Sequence, residues 1–274
     1  MPLLKRLAAL LCLTALLAVA GCSSVTLAYN QFPLLASLWA DSYLDLDSAQ
    51  RSKLKAQLAA LQAWHRREEL PQWLALLRQA QEALDDGVTQ DELLALERSA
   101  RTSAQRTLQH AAPLAAPVLA GLRPEQWQHL QKKMDEKTAE WRDKHAGRGG
   151  PGERAKRYAS NLERWLGDLD RPTLKQARAD AQGWHFDLAA MSQGRALRQA
   201  RTLEALKAWS RQDLAGGTAL LMQNALPQPS EQPYREQIIA SLLMLLNGMD
   251  ADQREAVRKH WRDWDTELKT LQAG

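Results

Sequence analysis

Apolar positions recur every three or four residues through most of the chain. Leu54, Leu58 and Leu61 fall on one face that Trp64 continues, while Trp127, Leu130, Met134 and Trp141 form another, interrupted by Lys137. Val257, Trp261, Trp264, Leu268 and Leu271 are spaced 4, 3, 4, 3, a seam of the coiled-coil kind. No stretch alternates apolar and polar residues over strand lengths. Val, Ile and Thr are scarce, and Ala, Leu, Gln, Glu, Lys and Arg, all good or fair helix formers, dominate. The pattern predicts an all-α fold, an elongated multi-helix bundle with long antiparallel helices.

Breaks in the pattern divide the chain. Leu70-Pro71 fits a helix start with Pro in the first turn, and Asp86-Gly87 a helix end. Pro113 and Pro117 are expected to interrupt or kink the region after Gln109. Linkers are expected near 147–152, in the run Gly147-Arg148-Gly149-Gly150-Pro151-Gly152, and near 227–232, after Pro227-Gln228-Pro229-Ser230. They divide the chain into stretches 30–146, 153–226 and 233–272, whose helices can still pack in a single bundle, and the helical domain is expected over 46–274.

A short repeat lies within this region. Leu46-Asp47-Ser48-Ala49-Gln50, Leu122-Arg123-Pro124-Glu125-Gln126 and Met249-Asp250-Ala251-Asp252-Gln253 each place Gln four residues after an apolar residue, and weaker copies start at Val88 and Leu169. Asp47 with Gln50, Asp250 with Gln253 and Thr89 with Glu92 fit capping boxes, in which the N-cap and N3 side chains satisfy each other's backbone donors. Leu122 with Trp127, Val88 with Leu93 and Leu169 with Leu174 fit the accompanying hydrophobic staple. Gln50, Gln126 and Gln253 are therefore expected at helix starts. The repeat also resembles the Leu-Thr-x-x-Gln motif of the Spy and CpxP group of periplasmic chaperones, with Asp47, Arg123 and Asp250 in the Thr place. Whether it does more than open helices is left open by the residues.

The N-terminus has a different character. Lys5 and Arg6 precede an apolar run from Leu7 to Ala20 that is short for a membrane span and reads as an export signal. It ends in Val19-Ala20-Gly21-Cys22, which resembles a bacterial lipobox. The resemblance implies a signal peptide over 1–21, cleavage before Cys22, a diacylglyceryl group on its thiol, and acylation of the new α-amine by a chain such as palmitate. One acyl chain holds a protein only marginally, whereas two or more anchor it stably. Ser23 and Ser24 follow where an Asp would favour the inner membrane, so the resemblance implies the outer membrane, with the body facing the periplasm. Residues 22–45 then form the lipidated, membrane-proximal segment.

This reading removes other chemistry. Cys12 leaves with the signal, and the one cysteine that remains is lipidated, so neither a disulfide nor a thiol nucleophile is expected. The formal charge of +4 falls by two when Lys5 and Arg6 go, leaving a nearly neutral chain with no expected nucleic-acid partner.

Further likeness extends over most of the mature chain. Cys22-Ser23-Ser24, Leu27-Ala28-Tyr29-Asn30, Asp41-Ser42-Tyr43-Leu44-Asp45-Leu46-Asp47 with Gln50, and Trp64-His65-Arg66-Arg67-Glu68-Glu69-Leu70-Pro71 resemble an uncharacterised family of Gram-negative lipoproteins. The resemblance implies placement and fold, and no activity.

Candidate chemistry adds little. The six His residues, 65, 110, 129, 145, 185 and 260, show no metal-ligand spacing, so no metal is expected. Gly147 to Gly152 imitates the ends of a phosphate-binding loop, but Glu153-Arg154 replaces the Lys and hydroxyl residue, and no strand precedes it. There is no Gly-x-Ser-x-Gly elbow. Paired carboxylates for glycan cleavage are available from Glu68, Glu69 or Asp41 with Asp45, which keeps a cell-wall enzyme as the least favoured reading.

The densest polar and aromatic block is Trp64, His65, Arg66, Arg67, Glu68 and Glu69. It reads either as a helix-to-helix corner, with Arg66 and Arg67 on carbonyls and a Glu at the next N-terminus, or as a recognition site for a partner. Arg195, Arg198 and Arg201 form a stripe for solvent or for anionic headgroups. The expectation is a non-enzymatic protein without catalytic residues or cofactors, tethered at Cys22, that binds envelope proteins as a chaperone or adaptor. The alternative is an assembly lipoprotein with one dedicated partner.

Overall fold

Helix-forming composition and local capping carry through to the architecture. A computed structural model describes residues 24–147, 150–223 and 231–274, and within them the regular structure is twelve α-helices. They are α1 (Ser24–Asn30), α2 (Phe32–Leu44), α3 (Ser48–Glu68), α4 (Leu70–Asp86), α5 (Gln90–Ala120), α6 (Pro124–His145), α7 (Gly150–Leu166), α8 (Arg171–Gln182), α9 (Leu188–Ala208), α10 (Leu214–Gln223), α11 (Gln232–Gly248) and α12 (Ala251–Ala273). No strand occurs among the described residues, and the fold is an all-α multi-helix bundle. The expected signal peptide, Cys22 and residues 227–230 of the second linker lie outside the described residues.

The seams seen in the sequence face inward. Leu54 and Leu61 of α3, Leu130 of α6, and Val257, Trp261 and Leu271 of α12 are buried. The largest core gathers Leu84, Val88, Leu93, Tyr158, Leu162, Leu166, Ala177, Leu246, Met249, Val257 and Trp261, so all three stretches between the linkers contribute to it. Each such aliphatic side chain gains roughly 1.5–3 kcal/mol on leaving water. A second core joins Leu46, Leu54, Val118 and Leu122, with Ala40 and Leu44 of α2 packed against it. A third seats Ala116 against Leu206 and Trp209.

Two expectations change. Of the interruption or kink expected at Pro113 and Pro117, the interruption does not occur, because α5 runs through both prolines. Buried Ala112, Ala116 and Val118 hold that turn against its neighbours, and packing offsets the backbone hydrogen bonds that the prolines cannot donate. The Gly147–Gly152 run is only in part a connection, because α7 begins at Gly150. A Cβ at Gly150 would run into the His145 carbonyl, so the glycine is needed there for close backbone approach.

Candidate functional site

The repeat copies open helices, and they also meet in pairs. Asp47, Thr89 and Asp250 cap α3, α5 and α12 with Gln50, Glu92 and Gln253 reciprocating, as the spacing predicts. At the α6 start, Gln126 Oε1 accepts from Arg123 N at 2.9 Å. Gln50 and Gln126 then face each other: Gln126 Nε2 donates to Gln50 Oε1 at 2.8 Å, and Gln50 Nε2 donates to Gln126 Oε1 at 3.2 Å. The remaining amide hydrogens reach Gly121 O at 2.9 Å from Gln50 and Asp45 O at 2.6 Å from Gln126. With Asp47 N on Gln50 Oε1 at 3.1 Å, each glutamine makes four hydrogen bonds, the full capacity of its amide. Gln126 is 0% exposed.

The other copies pair in the same spirit. Gln253 Nε2 donates to Asp170 Oδ2 at 2.5 Å and Thr173 Oγ1 at 3.2 Å, where Asp170 caps α8. The Val88 start exchanges two hydrogen bonds with the Asn247 amide, at 2.9 and 2.7 Å. Asp170 and Asn247 carry no sequence signal beyond the weak copy at Leu169.

The block from Trp64 to Glu69 forms the corner between α3 and α4, and the bend divides its members. Arg67 and Glu68 pair with each other on the surface at 2.8 Å. Glu69, 1% exposed, turns inward, where Ser103 Oγ donates at 2.5 Å and Arg106 closes a two-pronged ion pair through Nε at 2.8 Å and a terminal nitrogen at 3.0 Å. Burial acts to raise the Glu69 carboxyl. The hydrogen bonds from Arg106 and Ser103 outweigh it and hold the group below the ordinary carboxylate range. Trp64 stacks on His110 with ring centres 4.2 Å apart.

Arg66 departs from the expected carbonyl contact. It donates to Asn30 Oδ1 at 2.9 Å and lies 5.5 Å over the Tyr29 ring, tying α3 to the N-terminal segment. Tyr29 Oη sits 3.0 Å from His65 Nδ1, and Gln62 donates to the Tyr29 carbonyl. Burial lowers the His65 pKa against the pull of Glu69, and burial raises that of Tyr29 against Arg66. Burial thus favours the neutral imidazole and the protonated phenol, and the two share this hydrogen bond. Farther along α1, Thr26 donates to Glu267 of α12 through N at 3.1 Å and Oγ1 at 2.8 Å.

Beside the corner, α4 and α5 enclose an open cleft of about 340 Å³. Gln72, Trp73, Gln79, Arg98, Ser99 and Arg106 are among its lining residues. The acids considered for glycan cleavage do not converge on it. Glu69 is held by Arg106, and Asp41 accepts from Leu46 N at 2.8 Å and pairs with Arg51 at 3.1 Å. Among the described residues no group of three or more His, Cys, Asp or Glu is placed to hold a metal ion. No described helix is long and apolar enough to cross a membrane.

A comparison with curated proteins and another with solved structures returned no match. A family model described as a family of unknown function (DUF6279) matches residues 42–231, a span that contains the Gln50–Gln126 junction, the α3–α4 corner and the cleft, and the chain belongs to that family.

Proposed function

We propose that the protein is a non-enzymatic binding protein, an adaptor or chaperone-like component of the bacterial envelope, tethered by lipid at Cys22 to the periplasmic face of the outer membrane. The observation that carries the binding role is the α4–α5 cleft, with half-buried Trp73 and exposed Arg98 on a wall pinned by the Glu69–Arg106 pair. Trp and Arg are the residue types that most often dominate protein interfaces, and a pre-formed wall reduces the ordering cost of association. The lipobox resemblance supports the tether, and an envelope protein is the partner that such an address makes available.

A photo-activated cross-linker at Gln79, introduced in cells expressing the full chain, tests the binding role. A reproducible adduct with an envelope protein, weakened by Trp73→Ala or Arg98→Ala, is expected. Adducts unaffected by both substitutions would remove the cleft as the site. A single dominant adduct favours an adaptor, and a spread of unrelated adducts favours a chaperone. Incorporation of labelled palmitate, lost in Cys22→Ala, tests the tether separately.

A further inference from the structure

We infer that α2 lies in the interface of the bilayer to which the chain is tethered, so that the membrane surface is itself a ligand of the folded body. Leu34, Leu35, Leu38 and Trp39 are between 41% and 66% exposed, and Leu27 of α1 is 61% exposed. Their spacing, i, i+1, i+4 and i+5, places the four α2 residues on one face. The opposite face is committed to the body, where Ala40 and Leu44 pack on the second core and Ser37 is buried. From Phe32 to Ala40 no residue is charged, and Asp41 is turned into the body by Leu46 N and Arg51. From Leu34 to Trp39 the outer face of α2 is thus apolar.

The occupant follows from where the chain goes next. Ser24, the first described residue of α1, is two residues from Cys22 in sequence, a reach of at most roughly 7 Å. This direction of approach rests on the lipid-anchor reading. A helix of 13 residues covers about 20 Å and does not span a bilayer, but one apolar face can sink roughly 5–10 Å into the headgroup boundary. Trp39, the most exposed of the set, belongs to the residue type that favours this boundary.

Charge continues the fit at the far end of α2. Trp39 packs on Tyr43 with ring centres 5.0 Å apart, and Tyr43 opens onto a cavity of about 370 Å³ lined also by Lys137, Arg195 and Arg198. Lys137 pairs with Glu140 at 2.7 Å, and Arg198 sits 3.6 Å from Glu231. Arg195 meets a hydroxyl, Thr138 Oγ1 at 3.2 Å, and the Trp141 ring. Its cation suits the phosphate of an anionic phospholipid next to the apolar face.

The test uses the full chain, purified from membranes and reconstituted in vesicles of phosphatidylethanolamine and phosphatidylglycerol whose acyl chains carry bromine. A fluorophore is placed on Leu38→Cys in one protein and on Ala179→Cys, exposed on α8, in another. Loss of emission at position 38 without loss at 179 is expected, and Leu35→Ser with Trp39→Ser should abolish that difference. Equal emission from both positions on vesicle-bound protein would overturn the proposal, as would protection of position 38 by a cross-linked second copy or by a protein partner. Mass spectrometry of the Cys22 peptide reads the tether independently. Quenching at 38 with an unmodified Cys22 would sink the anchor and leave the α2 face standing, and a lipidated Cys22 without quenching would do the reverse.

Discussion

At the residue scale, Gln126 is the side chain on which most depends. Its amide is buried and satisfied by two backbone groups and by Gln50, so truncation leaves Asp45 O, Arg123 N and the facing amide with lost partners. Gln126→Ala should cost about 3 kcal/mol in denaturant unfolding, and Gln50→Ala less, because Gln50 is only half-buried. A double-mutant cycle should show coupling of about 1 kcal/mol or more, and strict additivity would contradict the reciprocal pair. Glu68 and Glu69 make the same point about charge. Arg106→Ala strands a buried carboxylate and should cost about 3 kcal/mol, whereas Arg67→Ala breaks a surface pair and should change stability by less than about 1 kcal/mol. The helix-opening role of the Gln residues was legible because capping acts within four residues. Their pairing across 76 positions, and the choice of Glu69 over Glu68, were not, since both depend on elements distant in the chain.

At the element scale, joints matter more than helix interiors. Helix identity was legible nearly throughout because it follows from periodicity and propensity, and α5 shows the limit: its two prolines are overridden by packing that no local rule contains. The joint after α7 carried no signal either. Gly167 has φ +85°, and a Cβ there would lie 2.9 Å from His260 Cβ and Cγ on α12. Gly167→Ala therefore combines an unfavourable left-handed backbone with a clash, and should lower stability by about 2 kcal/mol or more. Gly152→Ala, where a Cβ meets nothing within 4 Å, is the control and should be neutral or slightly stabilising. Thermal unfolding of the two variants side by side distinguishes a strained joint from a general intolerance of substitution.

At the scale of the whole molecule, ion pairs tie together helices that the linkers separate in sequence, and this sets the response to acid. Glu97 of α5 accepts from Arg235 of α11, with one bond at 2.5 Å, and from Arg101 at 2.7 Å. The Arg235 hydrogen bond, then Arg101, acting against burial, bring its pKa from the usual 4.5 down to about 2. A carboxyl with a depressed folded pKa binds fewer protons folded than unfolded, so its stabilisation is complete above the unfolded value and is lost as pH falls from 4.5 toward about 2. The contribution is about 2 kcal/mol after screening by solvent. His65 and His145 act earlier. Burial lowers both, so the unfolded chain gains protons first and stability begins to fall once pH drops below 6.5. Denaturant midpoints from pH 8 to 2 should thus show a shallow early decline and a steeper one below pH 4.5. His65→Gln should reduce the first decline while loosening the Tyr29 contact, and Glu97→Gln should flatten part of the second at the expense of stability near neutrality. Parallel curves for Glu97→Gln and the parent protein below pH 4.5 would mean that the α5–α11 ion pair does not govern acid unfolding.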